Sequence, residues 1–196
     1  MFTSPYGTIG PFFPPEFVTG CEDLTSFQGK QAKGQHILLT GRVVEEGDRP
    51  ILNAIVEIWQ PDANGVFRHS LDPRARDADP GFFGWGRART DAEGRYTFRT
   101  VIPGVSRSDS VDAPRCPHLN LMILAIGLTR RLTTSVFFSE RPESVHDPVL
   151  DCIADPAGRA RLFARSNNSR NGAEGLPVYS FDIVTRGSYE TPFFID

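Results

Sequence analysis

Short runs of apolar residues that alternate with polar ones, separated by clusters of Gly, Pro, Asn and Asp, constrain the fold of this chain most strongly. In Asn53–Gln60, Val56 and Ile58 alternate with their neighbours at the period of a β-strand with one buried face. The run stops at 61–65, where the sequence Pro-Asp-Ala-Asn-Gly favours a turn. Further strands are predicted at His36–Glu45, Gly86–Thr90, Arg95–Val101, Leu119–Leu128, Leu132–Phe138, Val178–Thr185 and Thr191–Ile195.

The segments between these runs predict how the strands are connected. Residues 91–94, Asp-Ala-Glu-Gly, predict a hairpin between the runs on either side of them. Leu119–Leu128 and Leu132–Phe138 predict another strand pair, and the first is expected to be central because it is apolar on both faces. One short helix is expected at Pro156–Ala164, with Asp155 as its N-cap, whereas Asn167–Gly175 has the composition of a loop.

Strands at this spacing with almost no helix predict an all-β fold, an antiparallel β-sandwich or a barrel. The 18 glycines and 16 prolines suit many short strands joined by turns. We assign the sandwich to residues 36–196. Residues 1–35 show no sustained period, but Phe12, Phe13 and Phe17 favour an ordered arm that contacts a partner subunit.

Charge and hydrophobicity argue against several classes of function. A formal net charge of −3 gives no reason to expect nucleic acid or an anionic membrane as a partner. The longest apolar run is too short to span a bilayer, and the N-terminus does not resemble a signal peptide. Three widely spaced cysteines favour reduced thiols over disulfides. We therefore expect a cytoplasmic protein.

The residue pattern by itself indicates no enzyme. The four histidines show no i,i+2 or i,i+4 spacing, and neither a Gly-x-Ser-x-Gly motif nor a phosphate-binding loop is present. The most unusual cluster is Arg-Cys-Pro-His-Leu-Asn at 115–120, at the entry to a buried strand. These side chains either are satisfied by backbone groups at a strand edge or form the floor of a pocket. The residues alone leave both interpretations open.

Four longer segments resemble the intradiol ring-cleaving dioxygenases. They are LTGRV at 39–43, VEIWQPDANG at 56–65, TDAEGRYTFRTVIPG at 90–104 and YSFDI at 179–183. The similarity runs from about Thr8 to the C-terminus, and within the family it is strongest to the protocatechuate 3,4-dioxygenase branch. It implies a β-sandwich with a mononuclear non-haem Fe(III), held by two tyrosinates and two histidines, which cleaves a catechol with O2 between its hydroxyl-bearing carbons.

Carried over position by position, the resemblance implies that this chain lacks three of the four iron ligands. The family's catalytic chains have His-x-His where this chain has His118 and Asn120. The two tyrosine positions fall at Phe67 and near Ser106, and an arginine of the family pattern is kept as Arg115. One imidazole cannot compete with solvent for iron, so we expect neither metal nor catalytic residues in this chain.

The two-chain members of the family suggest a role without iron. In them α and β chains share one fold, the iron lies in β, and the corresponding α site is degenerate. The resemblance therefore implies an α-type subunit, with Fe(III) in a homologous β-type catalytic chain. It further implies that the backbone of Thr8, Gly10 and Pro11 lines a shared pocket for a catechol-type substrate. An ordinary N-terminal turn is the alternative.

The substrate and the role itself stay open at this point. Ile126 stands where α chains of the family can carry a substrate-facing arginine, and it cannot bind a carboxylate in a bidentate manner. Arg130 and Arg131 either substitute for that arginine or form a solvated basic turn. Two other hypotheses are an iron-free paralogue that assembles with itself as a scaffold, and a catalytic dioxygenase with a rearranged site.

Overall fold

Two β-sheets form most of the structure, a computed structural model that describes residues 13–108, 111–139, 145–171 and 175–194. The strands in chain order are β1 (Ser26–Phe27), β2 (Lys30–Gln31), β3 (His36–Glu45), β4 (Arg49–Pro50), β5 (Ile55–Trp59), β6 (Trp85–Arg89), β7 (Arg95–Val101), β8 (Ser106–Ser108), β9 (Val111–Arg115), β10 (His118–Leu124), β11 (Leu132–Phe137), β12 (Arg165–Asn171), β13 (Pro177–Ser180) and β14 (Ile183–Val184). The α-helices are α1 (Pro148–Asp151) and α2 (Pro156–Ala160), and 3-10 turns lie at Pro15–Phe17 and Ala75–Asp77.

The first sheet has four antiparallel strands in the order β11–β10–β5–β6. Asn120 of β10 lies opposite Ser135 of β11 on one side and Trp59 of β5 on the other. The predicted pairing of β10 with β11 and the central position of β10 are therefore confirmed.

The second sheet is built around β3. Its residues 36–42 pair antiparallel with β7, from His36 opposite Val101 to Arg42 opposite Arg95, while β13 and β14 run parallel to β3. Between β13 and β14 the chain passes directly over Gly41, where a Cβ atom would overlap the carbonyl oxygen of Phe181. Glycine is required at this crossing because a side chain would push the two segments apart.

The inner faces of the two sheets enclose one core. The second sheet contributes Leu39 and Phe98, among others, and the first contributes Ile58, Leu121 and Ile123. A smaller apolar cluster lies under the helices around Phe137, Leu150, Leu162 and Phe163. Two stacked sheets with a shared apolar interior confirm the predicted all-β sandwich.

The predicted hairpin at residues 91–94 is wrong. The turn itself forms, because Asp91 Oδ1 accepts hydrogen bonds from the backbone N–H groups of Glu93 and Arg95. However, β6 pairs with β5 in the first sheet and β7 pairs with β3 in the second. The turn therefore carries the chain across the core. Both strands bury one apolar face in that core, so the alternation that suggested a hairpin is satisfied by packing instead.

Three further predictions differ from the structure. The helix begins at Pro156 with Asp155 as its cap, as predicted, but it ends at Ala160, and a second short helix, α1, was not expected. Part of the predicted loop at 167–175 is strand β12, which is held by backbone pairing with β13 despite its polar composition. Over the described part of the predicted last strand, residues 191–194, a single bridge forms, between Phe194 and Thr133.

The segment before β3 is packed onto the sandwich over its described part. Leu24 is buried in the main core, and its backbone N–H donates to the carbonyl of Arg99 at 2.8 Å. The division of the chain at residue 36 stays a prediction. Among the described residues, no helix has the length and apolar character to cross a lipid bilayer.

Candidate functional site

Two adjoining cavities open on the side of the first sheet that faces away from the core. Their volumes are about 520 and 340 Å³, and both are lined by Trp59, Arg115 and Asn120. The smaller cavity is also lined by the other three positions that the family resemblance singled out, Phe67, Ser106 and His118. Residues separated by more than 50 positions in the sequence therefore meet at one place.

The turn at 61–65 brings Phe67 to the cavity. Asp62 Oδ1 accepts hydrogen bonds from the backbone N–H groups of Asn64 and Val66. Gly65 has a φ of +77°, and a Cβ atom there would overlap the carbonyl oxygen of Val105. This close approach, open only to glycine, places the segment after the turn beside the start of β8, where Ser106 lies.

Aromatic rings form one wall of the smaller cavity. The ring of Phe67 stacks on that of Trp59, with centroids 5.8 Å apart and an angle of 22° between the planes. The imidazole of His69 meets Trp59 edge-on at 6.1 Å. Trp59 was not predicted as a site residue, although its position on the outward face of β5 was visible in the strand alternation.

His118 lies at the start of β10 and is almost completely buried. Its Nδ1 lies 2.7 Å from the carbonyl oxygen of Cys116, and because a carbonyl only accepts, this nitrogen carries the hydrogen. Burial, followed by the positive charge of Arg115, lowers the pKa of His118 to about 4. The ring is therefore neutral at neutral pH, with Nε2 as an unprotonated acceptor.

Asn120 lies two residues further along the same face of β10. Its Oδ1 accepts a hydrogen bond from the hydroxyl of Ser135 at 2.8 Å. The amide oxygen is thus already engaged by a neighbouring strand. The amide NH2 is the part of this side chain that can serve a molecule in the cavity.

Arg115 is held by a buried carboxylate. Its Nε donates to both oxygens of Asp147, at 2.8 and 2.9 Å. Asp147 also accepts from the backbone N–H groups of Cys116 and Val149, the second of which makes it the N-cap of α1. Arg115 Nη2 is buried and has no hydrogen-bond partner among the described residues. The sequence did not predict the role of Asp147, although the pair Asp147-Pro148 is a helix-start signal.

The four positions that the family resemblance assigned to iron ligands do not suit Fe(III). Phe67 offers no donor atom, Ser106 offers only an alcohol, and the amide oxygen of Asn120 is engaged, which leaves the imidazole of His118. Trivalent iron prefers anionic oxygen ligands. The described residues also contain no group of three or more His, Cys, Asp or Glu side chains arranged to hold a metal ion.

The tyrosines of the described part supply no phenolate at this cavity. The hydroxyl of Tyr96 is buried in the core and donates to the carbonyl of Phe181 at 2.6 Å, and burial, followed by the charge of Asp182, raises its pKa well above the usual value. Tyr179 packs edge-on against Phe138. None of the three described tyrosines, Tyr96, Tyr179 and Tyr189, lines either cavity.

The remaining predicted positions are placed as follows. Thr8, Gly10 and Pro11 lie outside the described residues. Ile126 is 57% exposed, beyond the end of β10, and lines neither cavity. Arg131 lines the larger cavity.

Sequence comparisons identify relatives along most of the chain. A family profile described as "Dioxygenase" matches residues 9–187. The protocatechuate 3,4-dioxygenase alpha chain of Burkholderia cepacia is 32% identical, over 97% of this chain and 96% of that protein. The alpha chain of Pseudomonas putida is 33% identical over 83% of this chain and 77% of that protein. The beta chain of B. cepacia is 36% identical over 87% of this chain and 73% of that protein.

Solved structures share the fold. The 3-chlorocatechol 1,2-dioxygenase of Rhodococcus opacus 1CP gives a TM-score of 0.62 at 20% identity, over 92% of this chain and 71% of that one. The mercury-inhibited catechol 1,2-dioxygenase of Acinetobacter sp. ADP1 gives 0.61 at 21% identity, over 95% and 64%. The sandwich, the profile match and the identities of 32–36% lead to one conclusion: this chain belongs to the intradiol dioxygenase family.

Proposed function

We propose that this chain is the non-catalytic α-type subunit of a heteromeric intradiol dioxygenase of the protocatechuate 3,4-dioxygenase type. The observation that carries the proposal is the donor set of the smaller cavity. The family resemblance assigns metal-ligand positions to Phe67, Ser106 and Asn120; all three line this cavity, and none of them is an anionic or imidazole donor. Fold alone would not distinguish a catalytic chain from a non-catalytic one.

Percent identity does not assign the subunit type. The beta chain of B. cepacia is slightly more similar over the matched region than the alpha chain, whereas the alpha chain matches along almost its whole length. Both chain types share one fold, so overall sequence identity reflects the residues that build the sandwich rather than those that distinguish the two chain types. The ligand positions bear directly on catalysis, and they favour the α type.

In this proposal the reaction takes place in a homologous β-type chain that holds Fe(III). When bound there, the iron activates a catechol toward O2. The present chain contributes shape, because the backbone around Thr8, Gly10 and Pro11 lines the partner's substrate pocket. A pocket lined by backbone suits glycine, which permits close approach to an aromatic ring.

The anchoring of the arm near Phe17 supports this role. The guanidinium of Arg87 lies 3.5 Å from the centroid of the Phe17 ring, and Arg87 also donates to the Phe17 carbonyl at 3.0 Å. Arg87 is held in turn by Glu57 on the neighbouring strand, an ion pair in which both side chains are largely buried. Phe13 stacks on Phe17 at 5.2 Å. Phe13, the first described residue, is therefore anchored to the sandwich through Phe17.

Co-expression tests the proposal. We expect the chain to co-purify in a near-equal ratio with a β-type chain that carries two tyrosines and a His-x-His, and to give a coloured complex that consumes O2 with a catechol. Each chain expressed alone is the control. Failure to bind any such β-type chain, together with self-assembly, would support the scaffold hypothesis instead.

The same complex also tests the substrate class. Because Ile126 replaces the expected arginine, protocatechuate and unsubstituted catechol should be compared as substrates at equal concentrations. A marked preference for protocatechuate would show that another cation binds its carboxylate. We also propose a cytoplasmic location, which cell fractionation of the source organism tests.

A further inference from the structure

We propose that Arg87 is a positioning residue: it clasps the strap, residues 13–24, to the edge of the first sheet and thereby sets the KM of the proposed complex for its substrate. This inference rests on the proposed function, which gives the arm a role but assigns no residue an effect on the reaction. Contacts of the Arg87 backbone and of its side chain carry it.

The backbone of the strap lies against β6, which is an edge of the first sheet. The Arg87 N–H donates to the carbonyl oxygen of Cys21 at 3.0 Å, and β6 would otherwise leave this group unpaired. A Cβ atom at Gly86 would lie 2.5 Å from that same oxygen and 2.6 Å from Cδ1 of Leu24. Only glycine therefore allows the strap to come this close.

The guanidinium of Arg87 uses all three of its nitrogen atoms. Nε donates to Glu57 Oε1 at 2.8 Å, and Nη2 donates to the same oxygen. Nη1 donates to the carbonyl oxygen of Phe17 at 3.0 Å. The central carbon of the group lies 3.5 Å from the centroid of the Phe17 ring and 4.8 Å from that of Trp85. A planar cation with these partners is fixed in one orientation, and lysine does not reproduce its contacts.

The clasp joins the strap to the wall of the larger cavity. Glu57 and Trp85 both line that cavity, on the face of the first sheet that also carries Asn120. The side chains of Arg87 and Glu57 are only 15% and 11% exposed, so solvent screens their attraction little. Because the two charges compensate each other, the clasp acts through geometry rather than through net charge.

Positioning of this kind acts on substrate binding. In the proposed complex the iron belongs to the β-type chain, and the arm of the present chain only lines the pocket. A displaced arm would weaken contacts that the substrate makes equally before and during the reaction, which raises KM and leaves kcat nearly unchanged. A defect of folding alone would instead lower the amount of active complex.

Hydrogen exchange in the isolated chain tests the clasp without a partner. Arg87→Lys keeps a cation for Glu57 but removes the planar group, and Phe17→Ala removes the ring that this group contacts. In both variants the amide of residue 87, which donates to Cys21, should exchange at least about tenfold faster. Arg89→Lys is the matched control, because this exposed side chain on the same strand has no hydrogen bond or ion pair with a described residue. Parent exchange rates in both strap variants would overturn the proposal.

Steady-state kinetics of the complex tests the effect on the reaction. Each variant is co-expressed with the β-type chain, and O2 consumption is followed over a range of protocatechuate and catechol concentrations. Arg87→Lys and Phe17→Ala should raise KM by about five- to tenfold, with kcat within about twofold of the parent value. Arg89→Lys should change neither. An unchanged KM, or a lower kcat at constant KM, would contradict the proposal.

The two proposals fail in different ways. If the parent chain forms no active complex, the proposed function is wrong, and the exchange rates still decide whether Arg87 holds the strap. If the parent complex is active and the variants keep its KM, the subunit assignment stands and Arg87 is only structural. Each variant is first checked for a cooperative thermal transition. Phe17→Ala leaves the buried ion pair intact, so the test holds even where Arg87→Lys does not fold.

Discussion

The two faces of strand β10 have different roles in this protein. On the inner face Leu119, Leu121 and Ile123 are fully buried in the core. On the outer face His118 and Asn120 line the smaller cavity. Because successive side chains of a strand point to opposite faces, substitutions on one face need not disturb the other. A member of this family can therefore change its metal-binding residues while its sandwich remains intact.

The largest expected effect is at Asp147. This carboxylate is fully buried, yet it holds Arg115, which lines the cavity on the outer face. Asp147→Ala should destabilise the protein by about 3–5 kcal/mol, because it leaves the guanidinium of Arg115 without its partner in a buried setting. Asp151→Ala on the same helix is the control. Its carboxylate is about half exposed, so a change within about 0.5 kcal/mol is expected. Urea unfolding measures the free energy of unfolding of both variants. Equal losses would show that the buried ion pair contributes no more to stability than the exposed one.

Adjacent residues of β10 compare the two faces directly. Leu121→Ala should destabilise the protein by about 3 kcal/mol, because it opens a cavity between the sheets. Met122→Ala, on the outer and half-buried face, should cost only about 1 kcal/mol, since that side already borders open space. Urea unfolding of both variants gives the difference. A larger loss of stability for Met122→Ala would mean that side-chain packing on the outer face contributes more than packing in the core.

The pH dependence of stability isolates His118. Its pKa is about 4 in the folded chain against 6.5 for a free histidine, so between these values the unfolded state binds more protons. Its full contribution is therefore present above pH 6.5 and is lost as the pH falls toward 4. We expect the free energy of unfolding to drop by roughly 2–3 kcal/mol between pH 7 and pH 4.5 on this account.

His118→Gln is the comparison for that measurement. The variant lacks the titrating group, so its stability should depend on pH less steeply than that of the parent by the same amount. Identical pH profiles, or an NMR titration of His118 near pH 6.5, would show that its environment is more polar than described.

The smallest expected loss of stability comes from removing the Tyr96 hydroxyl, a polar group buried in the core. Tyr96→Phe removes the hydroxyl that donates to the Phe181 carbonyl where the chain crosses Gly41. The carbonyl is left buried without that partner, so we expect a loss of about 1–2 kcal/mol in urea unfolding. Tyr189→Phe, at a side chain that is 75% exposed, should change nothing measurable. A neutral result at Tyr96 would mean that water replaces the bond.

The sequence predicted strand positions better than strand partners. The bounds of β3 and β7 match the predicted runs, because alternation and turn residues are local signals. The hairpin at 91–94 was wrong because a turn does not specify which sheet its flanking strands join. Strand β12 was not predicted because it is held by backbone hydrogen bonds to β13, and its polar side chains give no strand signal.

For the site, the family resemblance selected five positions that the fold brings to one cavity. The residues alone had singled out only the cluster at 115–120 and had left open whether it forms a pocket floor. The ion pair between Arg115 and Asp147 joins residues 32 positions apart. It depends on how α1 packs against the sheet, so no local sequence pattern could predict it. The aromatic wall formed by Trp59 and Phe67 likewise depends on the turn between them.

We propose that the outer face of this sandwich does not hold iron. The most direct test is the iron content and the visible spectrum of the isolated, folded chain after growth with excess iron. We predict no stoichiometric iron and no tyrosinate-to-iron absorption band. One tightly bound iron per chain, with that band, would contradict the proposal that this chain binds no iron.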